Sequence, residues 1–148
     1  MGMIRLQSDF KEFLKLLSAH GVEYLLIGGY AVNYHGYSRS TGDLDVWIER
    51  SERNAQRLVG ALHEFGFRTA TEDLFLEPDQ IIRLGVPPVR IEIHTDISGV
   101  DFRECFEGRE TAEIEGEPTP TLSLEDLKRN KRASGRMKDL ADLEELGG

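Results

Sequence analysis

The stretch Gly42-Asp43-Leu44-Asp45-Val46-Trp47-Ile48 has apolar side chains at alternate positions. Alternation with a period of two predicts a half-buried β-strand over residues 43–48. Asp43 and Asp45 then leave the same face of the strand, about 6–7 Å apart along the backbone. Two carboxylates this close repel each other unless a cation lies between them, and hard divalent ions such as Mg²⁺ prefer oxygen ligands. The stretch therefore predicts a metal site or, as is commoner for an isolated Asp-x-Asp, a solvated polar face.

A second motif precedes this strand in the chain. Residues 24–27, Tyr-Leu-Leu-Ile, form a continuous apolar run that is typical of a strand buried on both faces. Gly28 and Gly29 end the run, and residues 30–36 predict two turns of helix. Glycines at such a junction let the backbone approach a phosphate group, although an ordinary tight turn has the same pattern. A phosphate cradle and a cation site on adjacent elements would form the two halves of a nucleoside triphosphate site.

Glu92 is the candidate for a third carboxylate. Two further strands are predicted over 80–86 and 88–94, with a turn at Pro87-Pro88. In the second of them Glu92 alternates with Ile91 and Ile93, so it leaves the face opposite the core. If this strand lies beside strand 43–48, three carboxylates converge and could hold two divalent ions. A surface Glu92 paired with Arg90 is the alternative, and Asp96 is the competing third acid.

Periodicity assigns the rest of the chain to a mixed order of helices and strands. Helices are predicted over about 8–20, 52–65, 123–133 and 137–146, and residues 108–121 predict a hairpin or an irregular loop. This order is typical of the mixed α/β or α+β class. The length of 148 residues predicts a single domain over 1–148, with a C-terminal helical element at about 123–146.

The motifs together resemble the signature of the DNA polymerase β-like nucleotidyltransferase superfamily, and most closely its minimal and abortive-infection-toxin-like branches. The likeness covers about residues 22–146. The segments that carry it are 28–32 (GGYAV), 35–36 (HG), 39–45 (RSTGDLD), 90–93 (RIEI) and 131–140 (KRASGRMKDL). It implies a central mixed β-sheet flanked by helices, dependence on Mg²⁺, and transfer of a nucleoside monophosphate to a hydroxyl group.

The resemblance also implies roles for individual residues. Asp43, Asp45 and Glu92 would be the catalytic residues and would bind two Mg²⁺ ions, which Mn²⁺ could replace. Nucleotide binding would fall to Gly28, Gly29, Arg39, Thr41, Lys131, Arg136 and Lys138. Gly29 stands where the superfamily usually has Ser, and Glu92 where Asp is common. These two departures favour an alternative, a nucleotide-binding or partner-binding module of the same fold that turns over slowly.

The charge pattern bears on the partners of the chain. Eighteen basic residues against 27 acidic ones give a net charge of −9, which argues against non-specific binding of duplex DNA. Six basic residues nevertheless fall within 128–138, a segment without an acid: Lys128, Arg129, Lys131, Arg132, Arg136 and Lys138. Such a segment can bind a triphosphate or an RNA end. It could also form a helix face that balances the acidic residues on either side of it.

Location and acceptor are the remaining expectations. Cys105 is the single cysteine, which excludes an internal disulfide and favours a reducing, cytoplasmic compartment. No apolar run approaches the ~20 residues of a membrane-spanning helix, and the first residues do not resemble a signal peptide.

His35 and His94 lack the spacing of a zinc site. Proteins of the resembled superfamily modify RNA ends, partner proteins or antibiotics, so the acceptor hydroxyl is expected on RNA, a protein or a small molecule. The small size of the chain favours an RNA end or a partner protein, in a toxin–antitoxin setting. A structural α/β protein that binds no nucleotide is the third possibility.

Overall fold

The computed structural model describes residues 8–36, 42–86 and 89–148. The predicted Pro87-Pro88 turn and two predicted nucleotide-binding residues, Arg39 and Thr41, lie outside these ranges. The strands are β1 (Tyr24–Ile27), β2 (Asp43–Ile48), β3 (Ile81–Val86), β4 (Val89–His94), β5 (Glu110–Ile114) and β6 (Glu117–Thr121). The helices are α1 (Ser8–Ala19), α2 (Gly28–Tyr34), α3 (Glu52–Phe65), α4 (Phe102–Glu107), α5 (Leu124–Ser134) and α6 (Met137–Glu145), with a short 3₁₀ helix at Glu72–Phe75. None of the described helices is long and apolar enough to cross a membrane.

The described strands form one mixed sheet in the order β3-β4-β2-β1-β6-β5. β2 lies near the middle, antiparallel to β1 and parallel to β4. In this register Asp45 lies opposite Ile27 on one side and Glu92 on the other. The predicted class, a central mixed sheet flanked by helices, is confirmed. β2 and β4 are paired neighbours, which was the condition for the carboxylates to converge.

α1 and α3 cover one face of the sheet. Phe13, Leu14 and Leu17 of α1 and Leu58 and Leu62 of α3 are all buried in the core formed there. They pack on the alternate residues of β2 and β4 that the sequence predicted to face inward, namely Leu44, Val46, Ile48, Ile91 and Ile93. The residues between them therefore face the other side of the sheet, which is the side of the candidate site.

A second, smaller core lies on that other side. Trp47 is 2% exposed, and its ring packs edge-on against Phe102 of α4 at a centroid distance of 5.0 Å. The prediction of a strand with one buried face is therefore wrong for the second half of β2, which is buried on both faces. The reason is α4, a short helix that the sequence analysis did not identify. Among the described residues, the first half of β2, with Asp43 and Asp45, lies outside this second core.

The start of α2 differs from the prediction, and the segment 108–121 decides between two predicted alternatives. The helix predicted over 30–36 begins earlier, because α2 follows β1 directly at Gly28. Residues 108–121 form the hairpin β5–β6 rather than an irregular loop. Its turn has positive φ at Glu115 (54°) and Gly116 (80°), the backbone required by a tight two-residue hairpin turn. Pro118 and Pro120 lie within β6 and cannot donate backbone hydrogen bonds, which obscures the strand in the sequence.

A buried ion cluster fixes α6 on α5. Lys131 is 5% exposed, and its Nζ lies 3.2 Å from Asp139 and 3.1 Å from Asp142, both of which are buried. Ser134 and Arg136 also donate hydrogen bonds to Asp139, at 2.6 and 2.7 Å. Burial alone would raise the pKa of Asp139, but hydrogen bonds from Arg136, Ser134 and Lys131 outweigh it and lower that pKa to about 2. The cluster therefore holds the C-terminal helix in place through ionised groups.

Replacing Lys131 with Met should lower the free energy of unfolding by roughly 3–5 kcal/mol, because two buried aspartates lose the ammonium between them. The matched control is Arg129→Met, which removes a surface ion pair with Asp126 from the same helix. That change should cost less than about 1 kcal/mol. Urea unfolding measures both, and equal losses would contradict a buried anchor under α6.

The same cluster should give an acid-sensitive contribution to stability. The pKa of Asp139 is about 2 in the folded chain, against an ordinary value of 3.8. The stabilisation by Asp139 is therefore complete above about pH 5 and is lost as the pH falls towards 2. Unfolding of the chain and of Asp139→Asn, compared at several pH values, should show a difference that is constant at neutral pH and shrinks only in this acid window. A difference that grows on acidification would be inconsistent with these ion pairs.

Candidate functional site

A cavity of about 570 Å³ opens at the end of the sheet where β1 passes into α2. β2, β4 and the α5–α6 region form its other walls. It is lined by eight residues that the sequence predicted for the site: Gly28, Gly29, Asp43, Asp45, Glu92, Lys131, Arg136 and Lys138. Arg39 and Thr41, the other two predicted residues, lie outside the described part of the chain. The fold thus brings distant segments together in one place, while the roles of these residues stay predictions.

Asp45, Glu92 and His94 form the centre of the site. Asp45 lies opposite Glu92 because β2 and β4 are parallel neighbours in that register, and His94 follows two residues later on the same face of β4. The His94 Nε2–H group donates a hydrogen bond of 3.0 Å to Asp45 Oδ1, and Nε2 lies 4.0 Å from Glu92 Oε1. The three residues offer ligand atoms that all lie within 4.8 Å of one another. Two oxygen donors and one nitrogen donor at this separation fit a divalent cation.

Asp43 lies on the same face of β2, next to this centre. The register places it opposite Arg90, whose Nη2–H group donates a 2.8 Å hydrogen bond to Asp43 Oδ2. The trio with ligand atoms close enough for one ion therefore contains His94 where the sequence analysis expected Asp43. His94 was set aside there because its spacing to His35 does not indicate zinc. Its position two residues after Glu92 on one strand is the signal that identifies it.

The two central carboxyl groups influence each other's ionisation. Burial alone would raise the pKa of Asp45, but hydrogen bonds with His94 and Glu92 outweigh it and lower that pKa. Burial and the neighbouring Asp45 raise the pKa of Glu92, although Arg83 and Arg90 oppose the rise. These two arginines contact Glu92 Oε2 at 2.8 and 3.3 Å. Opposite shifts are typical of two carboxyl groups that share one proton, and such a pair has a place for a cation.

Gly28 is required by a close approach to Asp45. Its φ is +70°, a backbone conformation that residues with a side chain rarely adopt. A Cβ atom at this position would lie 2.5 Å from Asp45 Oδ2, well inside van der Waals contact. The N-cap residue of α2, Ile27, makes no side-chain hydrogen bond to the start of the helix. Gly28 thus gives Asp45 its place against the β1–α2 junction.

Three of the six basic residues in the C-terminal segment line the cavity, and they do so in two ways. Arg136 and Lys138 are exposed at the rim of the cavity, and the positive charge of Lys138 helps to lower the pKa of Asp45. Lys131 instead lies between Asp139 and Asp142, the arrangement given above as the alternative to phosphate binding. The position of Lys131 is therefore that of a support for the rim.

Asp96, the competing third acid, also lines the cavity, but its bonding partners lie outside the central trio. Its Oδ2 accepts a 2.8 Å hydrogen bond from the Asp79 backbone N–H and lies 3.5 Å from Arg50 Nε. Glu92 is thus the acid that faces Asp45. Arg83 and Arg90 also belong to the site. The sequence analysis gave the Arg90–Glu92 pair only as an alternative, and it missed the contacts of Arg83 with Glu92 and of Arg90 with Asp43.

Comparisons with known proteins bear on what the site does. One family model matches residues 6–147, and it describes a nucleotidyl transferase of unknown function (DUF2204). A sequence search of curated proteins gives no significant match.

Solved structures show a similar fold. A protein from Thermotoga maritima (TM1012), assigned as a nucleotidyltransferase, is 19% identical with a TM-score of 0.65, and 97% of this chain and 94% of that chain are covered. The lincosamide antibiotic adenylyltransferase LnuA, in its lincomycin-bound form, is 16% identical with a TM-score of 0.57 and 97% of each chain covered. The antibiotic-resistance factor ANT(2″)-Ia is 12% identical with a TM-score of 0.60, and 95% of this chain and 81% of that chain are covered. At these identities the likeness extends to the fold alone.

Replacing Gly28 with Ala should displace Asp45, because the added Cβ overlaps its carboxyl group. The positive φ adds roughly 1–2 kcal/mol of backbone strain. Together these effects should weaken binding of a divalent cation by about tenfold or more. The matched control is Gly116→Ala in the β5–β6 turn, where φ is +80° and no atom lies within 4 Å of the added Cβ. Both variants should lose stability, and only Gly28→Ala should lose cation affinity in calorimetry with Mn²⁺. Equal affinities in the two variants would show that the glycine does not shape the site.

Proposed function

The chain belongs to the family of nucleotidyl transferases described as DUF2204, and from this membership we propose that its cavity transfers a nucleoside monophosphate from a nucleoside triphosphate to a hydroxyl group. The membership and the shared fold confirm the resemblance to the DNA polymerase β-like nucleotidyltransferase superfamily, and the family description supports an enzyme. One observation carries the proposal for this chain. Asp45 and Glu92 face each other across β2 and β4, in the cavity that the Gly28–Gly29 junction also lines.

Asp45 and Glu92 are the residues proposed to hold a divalent cation, Mg²⁺ or Mn²⁺. When bound, the cation would neutralise charge on the triphosphate and make the acceptor hydroxyl more acidic. Asp43 lies beside them as the remaining predicted ligand, and a second ion there would require Asp43 to exchange its hydrogen bond with Arg90.

Backbone and basic groups would hold the triphosphate. Gly28 and Gly29 line the cavity next to Asp45, and their amides are the proposed donors because a phosphate oxygen can approach a backbone without side chains. Arg136 and Lys138 at the rim supply the positive charge that departing pyrophosphate requires. Arg39 and Thr41 stay in the proposal as nucleotide-binding residues on the strength of the motif. Lys131 contributes by holding α6, on which Lys138 lies.

The proposed reaction is an in-line displacement. The acceptor oxygen forms a bond to the α-phosphorus while the bond from that phosphorus to the bridging oxygen breaks, and pyrophosphate leaves. Glu92 Oε1, which faces the centre of the site, is the proposed recipient of the hydroxyl proton. Burial and the neighbouring Asp45 raise the pKa of Glu92, which makes it a stronger base than an ordinary glutamate. Arg83 and Arg90 on the other oxygen, Oε2, keep the carboxyl group oriented.

The acceptor is proposed to be a hydroxyl group of an RNA end, a partner protein or a small molecule. LnuA and ANT(2″)-Ia are antibiotic-modifying proteins of the same fold, which supports the small-molecule class. The resemblance to abortive-infection toxins supports a toxin–antitoxin setting in the cytoplasm. Labelled triphosphates of each base, offered with Mg²⁺ or Mn²⁺ and with hydroxylated antibiotics, total RNA or cell lysate, separate these classes. Transfer of label to none of them, without release of pyrophosphate, would contradict the proposal.

A second candidate, a slow nucleotide-binding module, is favoured by the arginines around the acidic residues. Arg83 and Arg90 already contact Glu92, and Arg90 also contacts Asp43, so the protein itself neutralises part of the acidic charge. Calorimetry with a triphosphate and a divalent cation distinguishes this candidate, which predicts tight binding without pyrophosphate release.

Asp45→Asn should reduce transfer by roughly 10²- to 10³-fold, which corresponds to several kcal/mol of lost charge stabilisation in the transition state. Asp96→Asn is the matched control, because Asp96 lines the same cavity but bonds to Arg50 and to the Asp79 amide. It should change the rate less than about fivefold, the effect expected of a group outside the reaction centre. Pyrophosphate release measures both rates. Full activity of Asp45→Asn, or equal losses in the two variants, would remove Asp45 from the reaction.

A further inference from the structure

His94 completes the donor set at the centre of the cavity. Its ring lies on the same face of the sheet as Asp45 and Glu92, and each of the three side chains is only 13–15% exposed. Each carboxylate also has one oxygen directed away from His94. Glu92 Oε2 contacts Arg83 and Arg90, and Asp45 Oδ2 lies against Gly28. The atoms that face one another are thus Asp45 Oδ1, Glu92 Oε1 and His94 Nε2.

The separations of these atoms are close to those of ligands around one ion. Bonds of about 2.1 Å place neighbouring donors about 3.0 Å apart in an octahedral site and about 3.4 Å apart in a tetrahedral one. His94 Nε2 lies 3.0 Å from Asp45 Oδ1 and 4.0 Å from Glu92 Oε1. A small inward movement of Glu92 Oε1 would bring all three donors within bonding distance of a common point. Nε2 would bind the cation in the neutral ring whose proton lies on Nδ1, so the cation replaces the Nε2–H group in its contact with Asp45.

We propose that His94 is a direct nitrogen ligand of the cation held by Asp45 and Glu92, so that the site selects a first-row transition-metal dication over Mg²⁺. Imidazole nitrogen is a favourable ligand for transition metals, whereas Mg²⁺ prefers oxygen and water. This inference rests on the proposed function for what the cation does, whereas the identity of its ligands can be tested separately. It gives His94 a role that neither the Asp-x-Asp motif nor Glu92 requires.

Pulsed electron paramagnetic resonance of the full chain with Mn²⁺ tests the ligand directly. The spectrum should contain nitrogen modulation that changes when the chain's histidines are labelled with ¹⁵N, and His94→Gln should abolish it. His20→Gln is the matched control, since His20 bonds to Glu64, outside the cavity lining, and its loss should leave the modulation intact. The labelling experiment uses the unaltered sequence and shows whether a histidine binds the ion. His94 is the one histidine among the described residues that line the cavity, so a positive result there indicates His94 even if His94→Gln does not fold.

Competition between ions tests selectivity. The ratio of Mg²⁺ to Mn²⁺ dissociation constants should fall roughly tenfold in His94→Asp, which replaces nitrogen by oxygen in the same place. Bound Mn²⁺ without nitrogen modulation would overturn the proposal and leave His94 as a residue that only positions Asp45. Absence of Mn²⁺ binding, with and without a non-hydrolysable triphosphate, would overturn it together with the cation site. Nitrogen modulation in a chain that transfers no nucleotide would support His94 as ligand while the proposed function fails.

Discussion

The parallel pairing of β2 with β4 is the constraint on which the site depends. It places Asp45 directly opposite Glu92, on the face of the sheet that lines the cavity, where two carboxylates repel and their pKa values move in opposite directions. The rest of the site compensates for this repulsion. Arg83 and Arg90 occupy one side of Glu92, and His94 hydrogen-bonds to Asp45. A divalent cation is the partner that would neutralise what remains.

The rim of the cavity is supported from a distance. Lys131 joins α5 to α6 through two buried aspartates, and α6 places Lys138 and the adjacent Arg136 at the opening. Within the basic segment, the buried Lys131 thus holds the fold, while the exposed Arg136 and Lys138 line the cavity. The close packing of Gly28 against Asp45 joins the β1–α2 junction to the same centre. Fold and candidate chemistry therefore rest on the same few contacts.

Local patterns in the sequence predicted much of this fold, and long-range pairing explains what they missed. The alternation in β2 and β4 identified which residues face the core, because periodicity is a local property. It could not reveal that α4 would bury Trp47, since that contact joins distant parts of the chain. The alternation of residues in the second predicted strand identified Glu92. The partners of Asp43 and His94 depend on how β2 and β4 are aligned, which the sequence does not show. Lys131 was grouped with the phosphate-binding residues because sequence alone does not show which basic side chains are buried.

A crystal structure of the chain with Mn²⁺ and a non-hydrolysable nucleoside triphosphate would test the central claim most directly. Anomalous scattering locates the ion without ambiguity. The site described here predicts a peak bound by oxygen atoms of Asp45 and Glu92 and by the triphosphate, beside Gly28. An ion held by the triphosphate alone, with Asp45 still bonded to His94 and Glu92 still turned to its arginines, would contradict it.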